Sequence, residues 1–343
     1  MKKYYNISLL RTLSTIIIVV FHILLALSPG DGKTYFPFYI GVPIFLFISG
    51  YLYAKRNIEN TKEFYKSNIL KILVPTLTFL LLTLAAVGIY SLCTQTAFLG
   101  LIQDESGSGN KVFSVGHLWF IPAIIACYLI FPLVQKMYNK ECSATSTAFI
   151  IILFILLEIG CIALSTSVII PFLAGFLVQK KQDKLSQKPH ITWIVSLLLF
   201  VVFAVSYPFF FSISPSNNIA KLFYMPGKEI IVGAMGGSFA SFFIFATSKL
   251  KFPVFIQKCL ESFDKLSFPI YFIHHIFVFG AFDLLHITNI TSINILIFIA
   301  ATIVGSTSFM FLMKPICKKA RRVFRCEKIN VSPTQNNTKD SRQ

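Results

Sequence analysis

Charge is scarce in this sequence. Charged residues fill 13% of its 343 positions, where a soluble globular domain carries about 25%. Only 14 are acidic, against 31 lysines and arginines. That shortage excludes a soluble enzyme, which needs charge to coat its surface, and a hydrophobic share of 55% excludes a disordered chain. The seven cysteines contain no Cys-x-x-Cys pair, so neither a disulfide framework nor a zinc site is indicated. Histidines and acids do not recur at metal-ligand spacing on one helix face, so no metal is expected. No internal repeat is visible, which weakens the case for a transporter built from inverted repeats.

What the chain has instead is long apolar runs. A hydrocarbon core of about 30 Å takes about 20 residues per helix. On that ruler ten spans are expected, at 7–27, 36–54, 69–90, 118–136, 147–164, 168–180, 191–211, 229–247, 267–285 and 290–313. The sixth is short, and the break at Ser165-Thr166-Ser167 is weakly marked. The fold class is therefore all-α, a polytopic integral-membrane bundle of about ten helices. Assigning alternate loops to alternate sides puts 26 lysines and arginines on the side of the amino terminus and four on the other. By the positive-inside rule both termini are cytoplasmic, and the net charge of +17 needs no nucleic acid to explain it. Residues 1–314 form the membrane domain. Residues 315–343 form a basic cytoplasmic tail, polybasic at Lys318, Lys319, Arg321, Arg322 and Arg325 and disordered from Asn330. No segment between spans reaches the ~50 residues of a small domain, so any chemistry belongs to the bundle.

Ionisable residues inside spans are costly and mark function by default. They are Arg11, His22, Glu158, Glu229, His274, His275 and Asp283. Arg11 and His22 are eleven residues apart; at about 100° per residue they share a helix face, roughly 16 Å apart along the axis. Arg11 reads either as a snorkelling anchor or as a guanidinium that holds phosphates. His22 reads either as an interhelical hydrogen-bonding group or as a proton-transfer group. Ser49 and Gly50 permit close helix approach or ligand contact, and Lys66 and Lys71 bring cations toward the level of Arg11.

On the outer side, Trp119 in Gly116-His117-Leu118-Trp119 suits an interfacial aromatic belt or stacking on a sugar ring. Asp283 and His286 lie toward the same side. Adjacent His274 and His275 point about 100° apart and are not expected to face one site. Glu158 reads as a proton relay or as a buried carboxyl in a helix contact.

Together these residues resemble the membrane-bound acyltransferase 3 family, O-acyltransferases that modify bacterial surface polysaccharides. Arg11 and His22 reproduce its Arg-x10-His, and Phe45-Leu46-Phe47-Ile48-Ser49-Gly50 is similar to its Phe-Phe-x-x-Ser-Gly. His117-Leu118-Trp119-Phe120 and Ser267-Phe268-Pro269-Ile270-Tyr271-Phe272-Ile273-His274 add support, the latter resembling the late Tyr-x-x-His helix. The departures are Leu46 in place of a Phe, and Lys66 and Lys71 where the family usually has an Arg-x-x-Arg pair; ammonium groups attract phosphate without holding it bidentately.

The resemblance implies an acyl-CoA donor, most often acetyl-CoA, entering from the cytoplasm. Arg11, Ser49, Gly50 and Lys71 are the implied donor-binding residues. His22 would act as general base or acyl carrier, with Glu158 as the second catalytic candidate. His117, Trp119, His274 and Asp283 are the acceptor-side candidates, and the acceptor is a capsular or other cell-surface polysaccharide or a lipid-linked glycan. The alternative from another class is a transporter or flippase of a glycan or lipid-linked precursor.

Overall fold

A computed structural model of the chain describes residues 4–28, 35–95, 115–141, 143–163, 167–212, 218–279 and 282–326. The glycine-containing outer loop at Gly107-Ser108-Gly109, the break at Ser165-Thr166 and the polar tail from Asn330 lie outside the described residues. Within them the chain is helical and has no strand.

Eleven α-helices follow in order among the described residues. They are α1 (Tyr5–Leu27), α2 (Gly41–Tyr53), α3 (Thr61–Thr94), α4 (Phe120–Tyr138), α5 (Ala144–Ala163) and α6 (Ile169–Lys180). Next come the short α7 (Gln182–Gln187), then α8 (Pro189–Ser212), α9 (Asn218–Ala246), α10 (Val254–Val278) and α11 (Thr291–Cys326). Single 3-10 turns, Phe36–Ile40 and Gly116–Trp119, lead into α2 and α4.

A helix forms at each expected span, but the count of about ten crossings is not supported. Among the described residues six helices are long and apolar enough to cross a membrane: α1, α3, α4 with its leading turn, α8, and the apolar parts of α9 and α11. The segments Pro37–Tyr53 and Ile169–Lys180 are apolar but shorter, below the ~20 residues a perpendicular crossing needs, whereas the apolar α5 has 20 residues. The ninth expected span belongs to α10, whose first half carries Lys258, Glu261, Asp264 and Lys265. The helix begins thirteen residues before the expected 267 and ends seven before 285.

Local sequence explains several boundaries. Asn60 caps α3, its Oδ1 accepting from the Glu63 backbone N–H at 3.1 Å, so the helix starts outside the apolar run. Pro75, Pro132, Pro208, Pro226, Pro269 and Pro315 sit inside helices, which membrane bundles tolerate because neighbouring groups re-satisfy freed carbonyls. The helix α11 continues through Pro315 to Cys326, so the start of the basic segment is helical.

The outward faces of α5 and α8 expose Ile152, Leu156, Leu198 and Val202, each 55% to 61% accessible. Apolar surface of that extent on successive turns is lipid-facing. The inner faces pack tightly. A Cβ on Gly50 would collide with the Phe172 carbonyl oxygen, and one on Gly175 with the Phe47 carbonyl oxygen. The two glycines let α2 and α6 cross in backbone contact, the small-residue device of membrane helices. Beside this pair α9 packs on α2, α6 and α8, and α10 lies between α1 and α11.

Candidate active site

Eleven residues separate Arg11 from His22 on α1, and eleven separate Asp264 from His275 on α10. These helices run side by side in the same direction, so the two spacings meet rung for rung. At the first rung the Arg11 guanidinium donates to the Asp264 carboxylate, with the side chains 24% and 28% exposed. About 16 Å further along, His22 meets both α10 histidines, its ring centroid 5.0 Å from each.

That second rung corrects the expectation that His274 and His275 cannot share a site. Their side chains do leave the helix about 100° apart, but His22 stands opposite the groove between them and each ring reaches it from its own side. His117, from the turn preceding α4, completes the cluster. It stacks on His275 at 4.4 Å with 27° between planes and lies 5.8 Å from His274. His117, His274 and His275 are buried. Tyr271 closes one side, its hydroxyl donating to the His117 carbonyl oxygen at 2.5 Å.

The hydrogen bonds assign ring tautomers. His22 Nδ1 is 2.9 Å from the Ile18 carbonyl oxygen, and His274 Nδ1 is 2.8 Å from that of Ile270. A carbonyl oxygen only accepts, so each neutral ring carries its hydrogen on Nδ1 and its lone pair on Nε2. His274 Nε2 lies 3.3 Å from His22 Nδ1, its lone pair toward that N–H. Charge acquired at His22 is thereby stabilised from the far side of the ring.

A cavity of about 280 Å³ runs along this arrangement. Arg11, Asp264 and Lys71 line one end, Ser49 and Tyr128 its flank, and Tyr271 and His274 the other end. His22 adjoins it through His274. Lys71 Nζ is 3.4 Å from Asn68 Oδ1, which also accepts from the Tyr53 hydroxyl at 2.8 Å and from Arg56 at 3.3 Å. The buried Asn68 thus gathers two cations at the entry of α3. Such cations hold anionic groups such as phosphates, and a guanidinium does so bidentately.

The remaining sequence-derived candidates lie elsewhere. Gly50 faces α6 as a packing residue. Glu158 is bound at the start of α6, accepting from the Ser167 hydroxyl and from the Val168 and Ile169 N–H groups at 3.1 and 2.6 Å; it lines a different cavity. Asp283 accepts from the Leu285 N–H at 2.9 Å and pairs with His286 at 2.6 Å, shaping the turn after α10. Trp119 is half-buried beside Phe120 and does not line the cavity. Sequence reasoning missed Asp264, Tyr128 and Ser267. The signal for Asp264 was its spacing to His275, which repeats that of Arg11 to His22.

Comparison with protein families finds one match over nearly the whole chain: the family described as acyltransferase domain, at residues 4–313. The chain belongs to that family and is a membrane acyltransferase. The match does not favour a transporter. No curated protein and no solved structure matches the chain.

Proposed function

We propose that this family member is an O-acetyltransferase of the cell membrane, with both termini in the cytoplasm. It takes the acetyl group of cytoplasmic acetyl-CoA and places it on a hydroxyl of a cell-surface or capsular polysaccharide, or of its lipid-linked precursor. The observation that supports this best is the single cavity joining the Arg11 and Lys71 cations to His274 and, behind it, His22. Arg11 and Lys71 hold the donor's phosphates, and the thioester arm extends along the cavity toward the histidines. The acceptor hydroxyl approaches from the opposite side, where His117 and His275 back the cluster.

In the transfer, His22 Nε2 takes the hydroxyl proton as the oxygen attacks the thioester carbon. A C–O bond forms and the C–S bond breaks. The thiolate leaves with the proton returned from the imidazolium, giving CoA thiol and an ester. His274 is a positioning residue, accepting from the His22 Nδ1–H. Burial of the cluster excludes the water that would hydrolyse the thioester.

The test is labelled acetyl-CoA given to the purified protein with a glycan acceptor, beside a His22→Ala strain. Label in the glycan, and loss of acetyl esters from surface polysaccharide in the variant, is the expected result. Unchanged ester content with the variant present in the membrane overturns the reading.

A further inference from the structure

We infer a second site, for an anionic phospholipid, in the groove between α4, α5, α6 and α9. This groove has a volume of about 560 Å³, twice that of the cavity described above, and no catalytic step uses it. Its walls are apolar: Phe154 and Ile155 from α5, Leu173 and Leu177 from α6, and Ile230 from α9. Glu158 is the only carboxylate on the wall among the described residues, and its oxygens are occupied by Ser167, Val168 and Ile169. An apolar space of this size offers water no partners and falls in the range of ligand pockets. In a bilayer, the apolar ligand at hand is a lipid chain.

The end of the groove identifies the headgroup. Tyr138, the last residue of α4, lines it, and Phe176 stands beside it. Lys180, in the last turn of α6, holds its Nζ 5.5 Å from the Tyr138 ring and 5.7 Å from the Phe176 ring. Lys136 occupies the last turn of α4, and Lys181 follows Lys180. This is the basic end of the bundle: Gln182, just after Lys181, accepts from the Tyr51 hydroxyl at 3.1 Å, and Tyr51 lies under Lys55. Glu141, the acidic residue in the stretch after α4, accepts from Asn139 at 3.0 Å. A chain in the groove brings its phosphate to Lys180, the arrangement by which basic pockets between membrane helices take anionic headgroups.

Native mass spectrometry of the full chain tests this after reconstitution in an equal mixture of phosphatidylglycerol and phosphatidylcholine and graded delipidation. The wild type is expected to keep one phosphatidylglycerol after phosphatidylcholine is stripped. Lys180→Gln is expected to weaken that preference roughly fivefold, the share of one cation near a lipid surface. Ile155→Trp, which fills the groove from a lipid-facing position, is expected to lose the retained lipid; Leu177→Trp serves if that variant does not reach the membrane. Equal retention of the two lipids, retention unchanged by Lys180→Gln or by the filling variant, or preferential capture of an added polyprenyl phosphate overturns the proposal.

Discussion

The Arg11 guanidinium of α1 is paired with the Asp264 carboxylate of α10 at one end of the cavity. Both groups are about one quarter exposed, so solvent screens the pair and it adds little to stability. Under the proposed function its consequence is for the donor, whose phosphates would compete with the carboxylate for the same guanidinium. Asp264→Asn removes the competing charge at constant shape. The expected outcome is a several-fold lower KM for acetyl-CoA with kcat little changed. Arg11→Ala is expected to raise KM by about tenfold or more, the loss of one charged hydrogen bond, and Arg11→Lys to fall between because an ammonium lacks the bidentate fork. Initial rates against donor concentration check all three. A higher KM in Asp264→Asn means that the carboxylate orients Arg11 instead of competing for it.

His22 and His274 differ in expected cost. Removing a general base loses about 10² to 10⁴ in rate, so with the role proposed for His22 the His22→Ala variant is expected to fall in that range. In the proposed mechanism His274 acts through one neutral hydrogen bond to His22, worth about 1 kcal/mol. His274→Ala is therefore expected to lose about five- to tenfold in kcat with KM for both substrates unchanged. His274→Gln keeps an acceptor toward His22 and is expected to recover part of the loss. Separate kcat and KM values for the three variants check this; a KM effect as large as the kcat effect makes His274 a packing residue only.

What the sequence disclosed follows the range of the physics involved. Arg11 and His22 share a face by arithmetic within one helix, so their alignment is legible without knowing a neighbour. The pairing of Asp264 and His275 with them depends on α1 and α10 lying together, a contact between distant segments that no local pattern encodes. The same limit hid the partner of Gly50, since Gly175 lies far along the chain. Helix positions were legible from apolar runs, but the number of crossings was not, because a run of α6's length reads as a shortened span and the charged first half of α10 reads as a loop. Glu158 stayed open between two readings for a related reason: α6 begins just after a weakly marked break, so the donors that bind the carboxylate did not look like a helix start, and its contacts are those of the buried-carboxyl reading.

The glycines separate packing from flexibility. At Gly50 the obstacle to a methyl group is a backbone carbonyl, which cannot rotate away, and overpacking of that kind costs about 1–3 kcal/mol. Gly50→Ala is expected to lower the melting temperature in detergent. Gly88 meets nothing within 4 Å on the lipid-exposed stretch of α3, so Gly88→Ala is expected to be neutral or to stabilise by up to about 1 kcal/mol, the helix-propensity difference. Thermal unfolding of both variants checks the contrast, and an equal shift in both would place the effect in helix propensity and not in the α2–α6 crossing.

Glu158 gives the sharpest separation of stability from chemistry. Its carboxylate sits at the start of α6, where unsatisfied N–H groups and the helix dipole favour negative charge. Glu158→Ala leaves the Val168 and Ile169 N–H groups buried without that acceptor, at about 1–3 kcal/mol each. Glu158→Gln keeps one carbonyl oxygen and is expected to lose about half as much. Because the cavity holding Arg11 and His274 does not include Glu158, turnover per folded molecule is expected to stay within about twofold of wild type in both variants, well under one hydrogen bond's worth of transition-state energy. Melting temperature and activity normalised to folded protein are measured together. A loss of about a hundredfold in kcat from Glu158→Gln at unchanged melting temperature would return the carboxylate to proton transfer.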